Sequence, residues 1–202
     1  MHLPFRPRFR TQQLAFFLIG ALLIAAAIYA LGKVPGTTVS SRLLGNAVTE
    51  SSHGLYSVNH FIDGDTISVN MSGKAESVRL IGVDTPETHK PNTPVQCYGE
   101  AAANYTKSLI GSGKVRLEAD SQSDNRDRYN RLLRYVYLPD GRLVDELLIQ
   151  NGYGFAYIQF PFSKSSAFSA DQATAQAAHR GLWAACEPYQ ESGGRWQTNN
   201  AT

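Results

Sequence analysis

Residues 79–88 read Arg-Leu-Ile-Gly-Val-Asp-Thr-Pro-Glu-Thr, and both the fold and the chemistry turn on them. The segment 76–82 alternates loosely between polar and apolar residues and predicts a strand. Arg79 then sits among apolar neighbours, where its charge needs a partner or an anionic ligand. Asp84 falls at the strand's end, where side chains can converge on a cleft. Pro86 stiffens the path to Glu87, which holds a second acid at a fixed distance beyond the first. Taken alone, the same residues also read as ordinary surface salt bridges.

Working outward, Leu55–Val69 (LYSVNHFIDGDTISV) gives two short strands joined by Asp63-Gly64-Asp65, a turn signal. The stretch beginning at Thr85, TPETHKPNTPVQCYG, contains Pro86, Pro91 and Pro94 and must be a long loop. A helix is expected over 100–110, stopping at Gly111. Strands are expected over 114–118 and 132–138, with the polar loop SQSDNRDRYNR between them. That loop carries Asp127-Arg128-Tyr129-Asn130-Arg131. A short helix is expected over 143–150, ending at Asn151-Gly152. A last amphipathic helix is expected over 167–179, capped by Ser165, Ser166 or Ser169. The pattern has no internal repeat. Five short strands with about three helices between and after them suit an α+β fold built on a small barrel.

The N-terminal part differs. Leu14–Leu31 (LAFFLIGALLIAAAIYAL) carries no charge and follows Arg6, Arg8 and Arg10. Its length, roughly 27 Å as a helix, is near the minimum for crossing a bilayer. The expected organisation is a basic cytoplasmic segment at 1–13, a transmembrane helix or signal anchor at 14–32 and a flexible tether at 33–53. A folded domain at 54–188 and a polar disordered tail at 189–202 follow. Basic residues before the apolar run place the domain outside the cytoplasm, at the cell surface or in the periplasm. Cleavage of the segment as a signal peptide would release it as a secreted protein. In an exported domain Cys97 and Cys186 can persist as a disulfide, whereas a metal site is a poor reading without a CxxC or Cys/His cluster.

Charge narrows the function. The chain has 19 basic and 17 acidic side chains, and three of the former precede the apolar run. The remainder is close to neutral and has no bulk attraction for nucleic acid. Phosphate binding must come from a local arrangement or a metal. The residues present can provide one. Carboxylates suit a hard cation such as Ca²⁺, a carboxylate can direct a water, and arginine's planar fork fits a phosphate.

IDGDT, RLIGVDTPET, the YGEAA run after Cys97 and DRYNRLLRYVY together resemble the thermonuclease family, whose best-known member is staphylococcal nuclease. The likeness runs from about Leu55 to Trp183. It implies a five-stranded OB-fold barrel with a site at its edge. By this resemblance Asp65 and Asp84 ligate Ca²⁺ through carboxylates, and Thr85 does so through its backbone oxygen. Glu87 is the candidate general base. Arg79 and Arg131 clamp the scissile phosphate, and Arg128 and Tyr129 touch a terminal phosphate. The implied reaction is calcium-dependent hydrolysis of single- or double-stranded DNA and RNA to 3′-phosphate ends. Apart from the resemblance, no spare amphipathic face demands a partner, and a monomer with no protein partner is expected. The alternative is a non-catalytic OB-fold module that binds nucleic acid or protein at the cell envelope. The chain departs from the family pattern at Asn130, where glycine is usual. Asparagine is the residue that best tolerates the left-handed backbone such a turn needs.

Overall fold

Three strands in the first part of the domain form an antiparallel meander in the computed structural model, which describes residues 54–88 and 94–201. They are β1 (Leu55–Asp63), β2 (Thr66–Met71) and β3 (Lys74–Leu80). β2 is buried along Thr66, Ile67, Ser68 and Val69, so both of its faces lie inside protein. β4 (Val83–Asp84) follows β3 directly, and α1 (Gly99–Ile110) closes the long loop. β5 (Lys114–Glu118) and β6 (Leu132–Tyr137) complete a closed barrel in the order β1-β2-β3-β6-β5. Closure depends on β6 running parallel to β3, with Val78, Arg79 and Leu80 opposite Leu132, Leu133 and Arg134. Ile67, Val69, Val78, Leu80, Val115 and Val136 are among the fully or nearly fully buried residues of the core.

Four helices are present among the described residues, rather than about three. Beyond α1 they are α2 (Val144–Gln150), α3 (Ser165–Ala177) and the short α4 (Leu182–Ala185). α3 begins two residues before the expected start. Lys164 precedes it with no side-chain cap, and Ser169 instead bonds back to the Ser165 carbonyl at 2.9 Å. β7 (Phe155–Ala156) pairs with β4, placing Phe155 opposite Asp84. α2 packs against β4, β6, β7 and α3, and so holds the β4–β7 pair beside the barrel.

The polar tail expected at 189–202 is not without structure. It returns as a hairpin of β8 (Tyr189–Gln190) and β9 (Trp196–Gln197). Aromatic burial fixes it, because Trp196 stacks on Phe155 at 6.1 Å and meets Trp183 edge-on at 5.1 Å. Cys97 and Cys186 form a disulfide that ties the end of the long loop to the end of α4. The Cys97 N–H also bonds the Asn199 carbonyl at 2.7 Å.

The membrane expectation is corrected. Among the described residues no helix is long and apolar enough to cross a membrane. Residues 14–32, on which the anchor, the membrane as a partner and the extracytoplasmic location all rested, lie outside the described residues, as do 1–13 and the tether. The anchored or exported placement is therefore withdrawn.

Candidate active site

The site is built where the β1–β2 turn meets the end of β4. Gly64 makes the approach possible: a Cβ there would lie 2.7 Å from Thr85 Oγ1. From α1, the Thr106 hydroxyl donates to the Gly64 carbonyl at 2.6 Å and pins the turn. Asp63 braces it from the other side, accepting from the Gly64 N–H at 2.9 Å and the Thr88 hydroxyl at 2.9 Å. This leaves Asp65 facing the β4 end, where the Thr85 N–H donates to its Oδ2 at 2.9 Å.

Arg79 comes up from β3 between the two acids. Its Nη2 lies 3.1 Å from Asp65 Oδ2 and 2.9 Å from Asp84 Oδ1. Its Nη1 donates to the carbonyls of Val83 at 2.6 Å and Leu80 at 3.1 Å. The side chains of Arg79, Asp65 and Asp84 are only 11%, 9% and 10% exposed. This is the partner that the charge on an apolar strand required. Burial opposes the Arg79 charge, but Asp65 and Asp84 outweigh it and raise the guanidinium's pKa. Burial pushes the Asp84 carboxyl up and Asp65 adds to the rise, while Arg79 and Arg195 counter it.

The third sequence piece joins through Thr66. Its hydroxyl donates to Asp65 Oδ1 at 2.9 Å and accepts from Arg131 Nη1 at 3.3 Å. Asp127 orients Arg131 by receiving its Nε at 2.7 Å and its backbone N–H at 3.0 Å. Asn130, between them, has φ 65°, the left-handed backbone that its side chain tolerates. Tyr129 is 65% exposed. Arg128 lies over its ring at 4.8 Å and bonds its hydroxyl, while Arg131 stands 5.4 Å from the same ring.

Glu87 is half-buried, and its main chain is held by Gln96. The Glu87 N–H donates to Gln96 Oε1 at 2.8 Å, and the Gln96 N–H returns to the Glu87 carbonyl at 2.9 Å. Gln96 Nε2 in turn donates to Gln197 Oε1 of β9 at 2.9 Å. The charge of Glu87 is felt at Arg79.

Asp65, Asp84, Thr85, Arg79 and Arg131 are therefore gathered in one cleft, with Glu87 on the adjoining loop and Arg128 and Tyr129 on its outer lip. Near this group Tyr153 is stacked on Tyr105 at 4.0 Å and Phe155 is buried beneath the two tryptophans. Both are packing residues. Sequence reasoning missed Gln96, Trp196 and Arg195. Arg195 reaches Asp84 Oδ2 through its Nε at 2.9 Å. The available signal was Gly193-Gly194 between two aromatic residues, a hairpin turn in what reads as a polar tail.

A preformed metal centre is corrected. Among the described residues no three His, Cys, Asp or Glu side chains gather as a metal-holding group. The reason is geometric: Asp63 is turned to its own turn and to Thr88, and both oxygens of Asp84 face arginines. What the cleft does offer is two buried carboxylates and the buried Thr85 Oγ1, which has no hydrogen-bond partner. This all-oxygen set fits part of the shell of a hard cation.

A closed five-stranded barrel with helices packed beside it defines an OB-type, nuclease-like fold. The Staphylococcal nuclease homologue family matches residues 77–185, and the chain belongs to that family. It is 38% identical over 165 residues to a thermonuclease of Staphylococcus hyicus, covering 81% of this chain and 95% of that protein. It is 47% identical over 124 residues to endonuclease YncB of Bacillus subtilis (strain 168), covering 60% and 58%. A thermonuclease of Staphylococcus intermedius is 56% identical over 85 residues, or 42% and 49% of the two chains. Family membership and the buried arginine–acid network support nuclease-type enzymatic activity.

Proposed function

We propose that the protein hydrolyses phosphodiester bonds of DNA and RNA in a calcium-dependent reaction, leaving 3′-phosphate ends. The observation that carries this reading is one guanidinium, Arg79, spanning the Asp65 and Asp84 carboxylates, with Arg131 tied to the same group through Thr66. Asp65, Asp84 and the backbone oxygen of Thr85 would hold the Ca²⁺, which when bound supplies positive charge to a phosphate oxygen. Arg79 and Arg131 receive the scissile phosphate and offset the charge its oxygens gain. Asp127 keeps Arg131 aimed by holding its Nε, so the fork's outer nitrogens stay toward the cleft. Glu87 accepts a proton from the attacking water. The water oxygen bonds to phosphorus as the P–O5′ bond breaks, and the departing O5′ takes a proton from solvent water to become a hydroxyl. Arg128 and Tyr129 meet the next phosphate at the cleft's lip.

The test is digestion of single-stranded DNA with added calcium and then with a chelator, beside Glu87→Gln and Arg79→Ala. Loss of activity on chelation is expected, with each variant slowed by roughly 10²–10³-fold, as for a lost transition-state donor. Cutting that survives the chelator, or both substitutions, would overturn the mechanism. Binding of DNA without cutting under any condition would make the protein a binding module instead.

A further inference from the structure

The C-terminal hairpin puts a third arginine into the cleft. Arg195 lies 111 residues from Asp84 in sequence, yet its Nε meets Asp84 Oδ2 at 2.9 Å, opposite the oxygen that Arg79 holds. Its guanidinium stands 5.7 Å from the centre of the Tyr157 ring, just beyond β7. Its terminal nitrogens make no hydrogen bond to any described residue, and the side chain is 28% exposed. An arginine offers five N–H donors in a planar fork. Here the inner one is used to fix the side chain, and the outer pair is left beside the cleft.

The hairpin does not need Arg195 to stay folded. Trp196 is packed among Phe155 and Trp183, and Gln197 bonds Gln96. The Thr198 hydroxyl donates to the Cys97 carbonyl at 2.9 Å, and the Ala201 N–H donates to the Val95 carbonyl at 2.7 Å. Nor does Asp84 need a second cation for its own burial, because Arg79 already pairs with it. In a chain with 19 basic against 17 acidic side chains, a guanidinium held at the cleft with a free fork is a local phosphate receptor.

We propose that Arg195 is a further substrate-binding residue. It takes a non-scissile phosphate of a nucleic-acid strand passing over β4 and β7 toward Tyr157. This rests on the nuclease reading and extends its substrate contact to the C-terminal hairpin. Arg195 holds the strand while Arg79 and Arg131 hold the phosphate that is cut.

The experiment measures binding of a fluorescent single-stranded oligonucleotide to the full chain across a salt series, with chelator present so that nothing is cut. Relative to the unaltered protein, Arg195→Ala should weaken binding severalfold at low salt. It should also flatten the slope of log K against log salt by about 0.7, the value for one lost phosphate contact on a single strand. Arg195→Lys, which keeps the charge, should restore the slope. Repeating Arg195→Ala in an Asp84→Asn background separates two roles: a phosphate contact predicts the same loss there. Loss that disappears in that background would mean that Arg195 merely screens Asp84, and the proposal falls. An unchanged slope in Arg195→Ala, with thermal melting showing the protein folded, overturns it as well. If Arg195→Ala does not fold, a slope for Arg195→Gln equal to that of the unaltered protein overturns it. If the unaltered protein binds no oligonucleotide with chelator yet cuts DNA with calcium, this inference falls and the nuclease reading stands; if it neither binds nor cuts under any condition, both fall.

Discussion

Asn130 carries a left-handed backbone (φ 65°) in the turn that delivers Arg131. A β-branched residue cannot adopt it without strain. Asn130→Val is expected to lose about 1–2 kcal/mol of stability, read from urea unfolding, and to lower nuclease activity further by displacing Arg131. Asn130→Gly should keep both close to those of the unaltered protein. At this scale the sequence was informative wherever a residue's chemistry has one solution. An arginine amid apolar neighbours needed a partner or an anionic ligand, and Asn in place of Gly had to keep a positive φ. It was uninformative where partners lie far apart along the chain. Nothing near Arg195 announces Asp84, and nothing near Gln96 announces Gln197. The turn signal at Asp63-Gly64-Asp65 was local and legible, since Asp63 accepts from the Gly64 N–H beside it.

The helix α2 is fastened to β6 by one buried acid. Asp145 is fully buried, and its Oδ2 accepts the Val136 N–H at 2.9 Å. Burial raises its pKa from 3.8 to about 8, against the hydrogen bonds that favour its charge. Because the folded value is the higher one, its contribution to stability is complete below the unfolded value. It is lost steadily as pH rises toward about 8, and no more is lost beyond. Asp145→Asn cannot ionise. Its urea midpoint should therefore gain on that of the unaltered protein from about pH 4 to about pH 8 and then hold a constant difference. A difference that stays flat across that range would count against the assignment. The elements themselves were largely legible, since the loose alternation leading into β3 and the Gly111 stop of α1 are local signals. The hairpin of β8 and β9 was not, because its strands are two residues each and it is held by Trp196 packing against residues far upstream.

For the whole domain, the disulfide closes a loop with a sequence separation of 89 residues. It joins the long loop bearing Glu87 to the helical end bearing Trp183. By the loop-entropy account its loss, in Cys97→Ala/Cys186→Ala or under reductant, is expected to cost up to about 4–5 kcal/mol, measured by urea unfolding. The fraying should fall first on the Gln96–Gln197 contact, so activity should decline at lower urea than the loss of barrel structure seen by far-ultraviolet circular dichroism.

The parallel seam between β3 and β6 has a consequence for how the protein is made. A chain emerging from the ribosome presents Asp65, Arg79 and Asp84 well before Leu132–Arg134 exist to cover the open edge of β3. Arg131, one residue ahead of that seam, arrives with it. The cluster of Asp65, Arg79, Asp84 and Arg131 is therefore completed only once β6 has been made and paired with β3.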